Sequence, residues 1–304
     1  MEKRDFISIA DYSREWIEEI FRLTDEIKKK TISGEGYCPL IGKTLAMVFQ
    51  KPSARTRISF EVGMYQLGEH ALYLSPGDIQ MGKRESTADI ARVLSRYNDG
   101  IMARLFAHKE IIELAENATI PVINGLTDLL HPCQVMTDLF TIYEHKKYVD
   151  NLKIVFIGDG NNVANSWINM STKFPFELIV CCPVGYEPDS SIMEFAKKKG
   201  FNNFRIMHEP FEAAKKADVL YTDVWVSMGQ EKDADEKKKA FDGFRIDSKL
   251  LSEAKDDCLV MHCLPAHREE EITDEVIDGP NSVVFDEAEN RLHVQKAILV
   301  DLIK

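Results

Sequence analysis

Short apolar runs recur along this chain, and between them the apolar residues fall back to helical spacing. Residues 44–49, 71–74, 100–103 and 121–124 form one group of runs, and 152–157, 178–182, 204–207, 219–223 and 258–261 a second. Runs without polar alternation read as strands buried on both faces, which is what a parallel sheet covered by helices demands. The strand–helix rhythm therefore predicts an α/β chain with two parallel-sheet domains. A length of 304 residues suits two domains, and the pattern restarts near 148–152. We place the first at 1–147, the second at 148–285, and a closing helix at 286–304 that packs on the first. In that helix Val294, Ile298 and Leu302 are in register, with Arg291 off their stripe. Near the start, residues 11–30 read as an amphipathic helix with Trp16, Ile17, Ile20, Leu23 and Ile27 on its buried face.

The run at 44–49 leads into Gln50-Lys51-Pro52-Ser53-Ala54-Arg55-Thr56-Arg57. Pro52 ends the strand and Ser53 is a good N-cap for a helix in which Ile58, Val62 and Tyr65 share one face. Free backbone N–H groups, the positive end of the helix dipole, and Lys51, Arg55 and Arg57 then converge. Three cations so close together, in a chain of formal net charge -12, mark a site for a phosphate-sized dianion. The bland alternative is a solvated basic helix start paired with surface carboxylates.

Ligands of parallel sheets sit at the carboxyl ends of the strands. Arg104 ends one run, and His131-Pro132-Cys133-Gln134 opens the helix that follows another. His131 and Gln134 share a face of its first turn, where neutral donors beside a phosphate suit polarisation of an attached carbonyl. The loop at 75–85, carrying Gln80, Lys83 and Arg84, is long for a plain connection and suits a lid or an intersubunit arm as well as disorder.

In the second half, Gly158-Asp159-Gly160 resembles a dinucleotide turn, but the third glycine is missing. The strand at 178–182 also ends without the acidic residue a ribose requires, so no NAD site is expected. Asn165, Asp223, Ser227 and Cys263 fall near strand ends instead. Asp223 suits an ammonium, Asn165 a carboxylate or amine, and Ser227 with the Met228 backbone further contacts, a chemistry that fits an amino acid. Taken singly, each is as well explained as a cap or turn residue.

The acidic balance argues against nucleic acid and anionic membranes as partners. No apolar segment follows Lys3 and Arg4, and no apolar run approaches the roughly 18 residues of a membrane helix. Six cysteines lack any C-x-x-C spacing, so neither a zinc site nor a disulfide framework is expected, and a cytoplasmic enzyme with reduced thiols fits best.

Four stretches, taken in order and spacing, resemble the carbamoyltransferases, and most of all their ornithine branch. They are Ser53-Ala54-Arg55-Thr56-Arg57, His131-Pro132-Cys133-Gln134, Asp223-Val224-Trp225-Val226-Ser227-Met228-Gly229 and His262-Cys263-Leu264-Pro265-Ala266. The resemblance covers nearly the whole chain. It implies a carbamoyl-phosphate domain at 1–147, an ornithine domain at 148–285, and an active site between them. It also implies a homotrimer or a multiple of trimers, in which the loop around Gln80 reaches a neighbour's site.

Carried over by position, Ser53, Ala54, Arg55, Thr56 and Gln80 hold phosphate, while Arg104, His131, Pro132, Cys133 and Gln134 hold the carbamoyl group. Cys263, Leu264 and Arg291 line the junction with ornithine, which Asn165, Asp223, Ser227 and Met228 bind. Arg104, His131, Asp223 and Cys263 are the catalytic set, with no cofactor and no metal. Ala54 stands where many members carry Thr, and only its backbone N–H is needed there. The implied reaction is carbamoyl transfer from carbamoyl phosphate to the δ-amine of L-ornithine, in arginine biosynthesis or citrulline breakdown. Putrescine or N-acetylornithine as acceptor, and a non-catalytic carbamoyl-phosphate-binding relative, remain open alternatives on the residues alone.

Overall fold

A computed structural model of the chain describes residues 3–82, 84–226 and 234–304, so Lys83, Ser227 and Met228 lie outside the described residues. The chain divides into two compact units, 1–137 together with 289–304, and 138–288. The first runs through α1 (Arg14–Ser33), β1 (Thr44–Phe49), α2 (Ala54–Gln66), β2 (His70–Leu74) and the single-turn α3 (Pro76–Ile79). It continues with α4 (Thr87–Tyr97), β3 (Gly100–Arg104), α5 (His108–Asn117), β4 (Val122–Leu126) and the start of α6 (Pro132–Lys146). Its strands are all parallel, in the order β2-β1-β3-β4. Ala46, Val48, Ile101 and Ala103 on one sheet face pack with Ile90, Ala91 and Leu94 of α4 and Ile111 and Leu114 of α5.

The second unit contains β5 (Lys153–Ile157), α7 (Asn162–Ser171), β6 (Glu177–Cys181), α8 (Ser190–Lys198), β7 (Phe204–Met207) and α9 (Pro210–Ala214). Then come β8 (Val219–Thr222), α10 (Ala234–Ala240), α11 (Ser248–Leu251), β9 (Leu259–His262), α12 (Asp274–Ile277) and the start of α13 (Val284–Ile303). These strands too are parallel, in the order β7-β6-β5-β8-β9. The α/β class with two parallel sheets, expected from the alternation, is the one observed. In each sheet the chain winds outward one way and then crosses to the other side, so the order reverses between β1 and β3 and between β5 and β8. The crevice at such a reversal, outside the carboxyl ends of the strands, is where this architecture places ligands.

Two local features add to the pattern read from the sequence. In α2 the buried face is Thr56, Ser59, Phe60, Gly63 and Met64, whereas Ile58, Val62 and Tyr65 are exposed, Tyr65 at 80%. Their spacing located the helix, but the neighbouring element chose the face: a Cβ on Gly63 would stand 3.3 Å from Cγ of Lys296 on α13. The described residues of 75–85 are not a plain connection. They open with α3, where Asp78 accepts from the Ser75 N–H at 2.8 Å, and end where Ser86 caps α4 by accepting from the Asp89 N–H at 3.1 Å.

Lys296 is 1% exposed, and its ammonium donates to Thr31 Oγ1 (2.8 Å) and Gln66 Oε1 (2.7 Å). Thr31 lies in the last turn of α1 and Gln66 ends α2, so the charge sits at the negative ends of two helix dipoles. Burial nevertheless pulls its pKa down from 10.5 to about 8. Between about pH 8 and 10.5 the unfolded chain then holds a proton that the folded chain has released, so stability rises with pH across that window and the penalty is complete below it. We expect K296M to flatten that rise, which urea unfolding at about pH 7 and about pH 9.5 measures.

Candidate active site

In the first unit the reversal lies between Phe49 and Arg104, which are paired in register across β1 and β3. The Arg104 carbonyl accepts from the Gln50 N–H at 2.9 Å, fixing the chain as it leaves β1. Ser53 then N-caps α2, its Oγ accepting from the Thr56 N–H at 3.3 Å and lying 3.1 Å from Thr56 Oγ1. The first-turn N–H groups that follow have no intrahelical acceptor and present partial positive charge to the crevice.

Not all the cations of this stretch face it. Arg57 pairs with Glu61 at 3.0 Å and lies 4.0 Å over the Tyr73 ring, and Lys51 lies 4.6 Å over the Phe106 ring. The place of Arg57 is taken by guanidiniums from distant stretches of sequence. Arg291, 4% exposed on α13, donates to Gln134 Oε1 and, at 3.1 Å, to Thr56 Oγ1. Arg104 is 9% exposed at the end of β3.

His131, 5% exposed at the head of α6, lies in the field of Arg291, Arg104 and Arg55. Burial first, and then those three guanidiniums, hold its pKa well below the ordinary 6.5. The imidazole is therefore neutral at physiological pH and available as a neutral hydrogen-bond donor. We expect its ring C–H resonance to show no titration between about pH 5.5 and 8, which proton NMR with an H131N control assigns. Three guanidiniums around one neutral ring repel one another, and a dianion among them removes that repulsion.

The remaining residues expected here fall into two kinds. Cys133 is buried, its thiol donating to the Asn124 carbonyl at 3.4 Å and its pKa pushed up to about 12, so only its backbone is left to face a ligand. Gln80 is exposed at the end of α3 in a left-handed conformation (φ 41°). Among the described residues no hydrogen bond ties its side chain to the α2 N-terminus of its own chain.

In the second unit the reversal lies between β5 and β8. Asp223, the residue after β8, is 8% exposed. Its Oδ1 accepts from the Val224 N–H (2.8 Å) and from Cys263 Sγ (3.0 Å), and its Oδ2 from Asn161 Nδ2 (2.7 Å). Asn161, which sequence reasoning missed, also caps α7, accepting from the Val163 and Ala164 N–H groups. One side chain thus aligns both a helix and a carboxylate.

Burial, then Asp223 and Glu287, push the Cys263 pKa well above its ordinary value, so this sulfur keeps its proton and serves as a donor rather than a nucleophile. Leu264, next to it, is held in a left-handed conformation (φ 55°). Its N–H donates to His262 Nδ1 at 2.9 Å, while His262 Nε2 lies 3.0 Å from the buried Glu271. An Nδ1 that accepts fixes the neutral tautomer with its proton on Nε2. Asn165 sits in the first turns of α7, its Oδ1 accepting from the Asp189 N–H at 3.0 Å. Asp223, His262 and Cys263 have the donor types of a metal site, as do His267, Glu270 and Glu271, but the hydrogen bonds just described engage the first group internally.

The chain's first part, 4–144, matches the family described as aspartate/ornithine carbamoyltransferase, carbamoyl-P binding domain, and 150–302 matches its Asp/Orn binding domain. An ornithine carbamoyltransferase of Syntrophus aciditrophicus (strain SB) is 56% identical, the match covering 99% of this chain and 100% of that one. The solved ornithine carbamoyltransferase of Pyrococcus furiosus is 51% identical, with a TM-score of 0.95 over 99% of this chain and 97% of its own. The anabolic enzyme of that description from Campylobacter jejuni subsp. jejuni is 40% identical, with a TM-score of 0.93 and 98% of each chain covered.

Proposed function

The chain belongs to the aspartate/ornithine carbamoyltransferase family, and we propose from that premise that it moves the carbamoyl group of carbamoyl phosphate onto the δ-amine of L-ornithine, giving L-citrulline and phosphate. The observation that carries this reading is the set of three guanidiniums around a neutral, buried imidazole beside a helix N-terminus. A dianion with a carbonyl attached uses both features at once.

In this reading the phosphate lies on the first turn of α2, against Ser53, the Ala54 N–H, Arg55 and Thr56. The carbamoyl group reaches Arg104, His131 and Gln134. Arg291, which holds both Thr56 and Gln134, keeps the two ends of the molecule in one geometry. Ornithine's α-ammonium binds Asp223, with Asn165, Ser227 and Met228 completing its site. The neutral δ-amine attacks the carbamoyl carbon, the carbonyl electrons move onto oxygen, and Arg104, His131 and Thr56 stabilise that oxyanion. Its collapse breaks the C–O bond to phosphate, whose developing charge Arg55 and the α2 dipole accept, and the amine's extra proton passes to the departing phosphate. Asp223 and the Cys263 thiol orient the amine, and much of the remaining acceleration comes from holding the two reactants in line.

The exposed Ile58, Val62 and Tyr65 stripe of α2 supports assembly as a trimer or a multiple of trimers, with Gln80 completing a neighbour's site. We expect I58D to lower both the sedimenting mass and the turnover. Six free thiols suit a cytoplasmic setting, and among the described residues no helix is long and apolar enough to cross a membrane.

The function is tested by supplying carbamoyl phosphate with each of three amines and measuring ureido products. Citrulline from ornithine, with little product from putrescine or N-acetylornithine, is expected. No citrulline, or a preference for either other amine, contradicts the proposal.

A further inference from the structure

Two carboxylates, not one, stand at the chain reversal of the second sheet. Asp159 follows β5 as Asp223 follows β8, and each is 8% exposed. Each lies in the other's field, since Asp223 helps to raise the pKa of Asp159. Asp223 has neutral partners, whereas Asp159 is met at 2.6 Å by the ammonium of Lys237, reaching in from α10. That ammonium also donates to the Trp225 carbonyl at 3.2 Å and lies 5.7 Å from the centre of the Tyr186 ring. The turn carrying Asp159 is itself held tightly. A Cβ on Gly160 would come within 2.3 Å of the backbone at Glu187 and Pro188, and the Gly160 N–H donates to the Tyr186 carbonyl.

We propose that Lys237 is a positioning residue for the amine substrate: its ammonium occupies Asp159 and so leaves Asp223 as the carboxylate that the substrate's ammonium binds. The inference rests on the amine site assigned above. An ammonium substrate offered two free carboxylates divides between them, and on Asp159 its reacting amine is carried away from the place that Asp223 gives it. Lys237 removes that choice. The groups that bear on Asp159 are Lys237 from α10, Asp223 from the end of β8, and the neutral thiol of Cys182 beyond β6.

Three variants, read by steady-state kinetics on the full-length enzyme, test this. K237M frees Asp159 for non-productive binding, so kcat and KM for ornithine fall together by roughly 10–100-fold while kcat/KM is kept. As the pH is lowered and Asp159 takes up a proton, both constants return toward wild type. D159N releases the Lys237 ammonium to pair with Asp223, so KM for ornithine rises by roughly 10–100-fold with kcat unchanged. D159N/K237M, with both charges gone, recovers wild-type values, and KM for carbamoyl phosphate stays constant throughout.

If the double variant is no better than the singles, or K237M loses kcat/KM at every pH, the pair is a structural clamp and the proposal is overturned. Wild-type kinetics in both single variants overturns it as well, as does D159N unchanged where K237M fails to fold. Citrulline formation by the wild type, measured first, separates these outcomes from a failure of the functional assignment itself.

Discussion

R104A should lower kcat by about 10²–10³-fold while the affinity for inorganic phosphate changes by less than about tenfold. Arg104 closes β3 at the chain reversal and acts in the field around His131, so in the proposed reaction its guanidinium meets the oxygen on which charge develops. Removing one donor aimed at such an oxyanion typically costs about 3–4 kcal/mol of barrier. Phosphate, by contrast, keeps the α2 N-terminus, Ser53, Arg55 and the Arg291–Thr56 contact. Single-turnover kinetics together with phosphate titration separates the two effects. A variant that turns over normally would show that Arg104 does not stabilise the oxyanion, and one that loses phosphate binding and turnover in equal measure makes it a phosphate ligand instead.

D223N should lower kcat/KM for ornithine by about 10²–10³-fold and leave KM for carbamoyl phosphate near wild type. Two causes add. The substitution removes the negative charge opposite the substrate's ammonium, and breaking such a buried pair costs about 3–5 kcal/mol. It also brings an amide N–H₂ into a place now filled by acceptors: Oδ2 accepts from Asn161 and Oδ1 from Val224 and Cys263. Whichever way the new amide turns, one donor faces another. Initial rates with each substrate varied in turn read the outcome, and a variant whose ornithine KM is unchanged would show that Asp223 does not hold the ammonium.

The sheets were legible in the sequence because most of the nine strands of the described residues are buried on both faces and so leave short runs without polar alternation, the outer β2 and β7 being the partly exposed exceptions. Helix faces were not so legible. The spacing of Ile58, Val62 and Tyr65 marks α2 as a helix, yet periodicity says nothing about which stripe meets a neighbour, and that stripe is exposed. The same gap explains the cations. Arg57 lies within the motif but is taken up by Glu61 and Tyr73, whereas Arg291, more than two hundred residues further on, bonds Thr56. Only folding brings residues so far apart together. Asp159 and Asn161 are hidden in the sequence because Gly158-Asp159-Gly160 reads first as a dinucleotide turn. Acidic and amide side chains within a few residues of a strand's carboxyl end are the signal that points to them. Lys237 leaves no such signal, standing among three successive lysines of which one turns inward.

In the proposed reaction the crevice between β1 and β3, lined by the α2 N-terminus and the guanidiniums of Arg55, Arg104 and Arg291, takes an acyl phosphate dianion. Calorimetric titration of carbamoyl phosphate into the full-length protein without ornithine tests it most directly. Saturable heat is expected with one ligand per chain, a dissociation constant well below about 1 mM, and binding at least about tenfold weaker in R55A. No saturable heat at millimolar ligand, or unchanged binding in R55A, would contradict it.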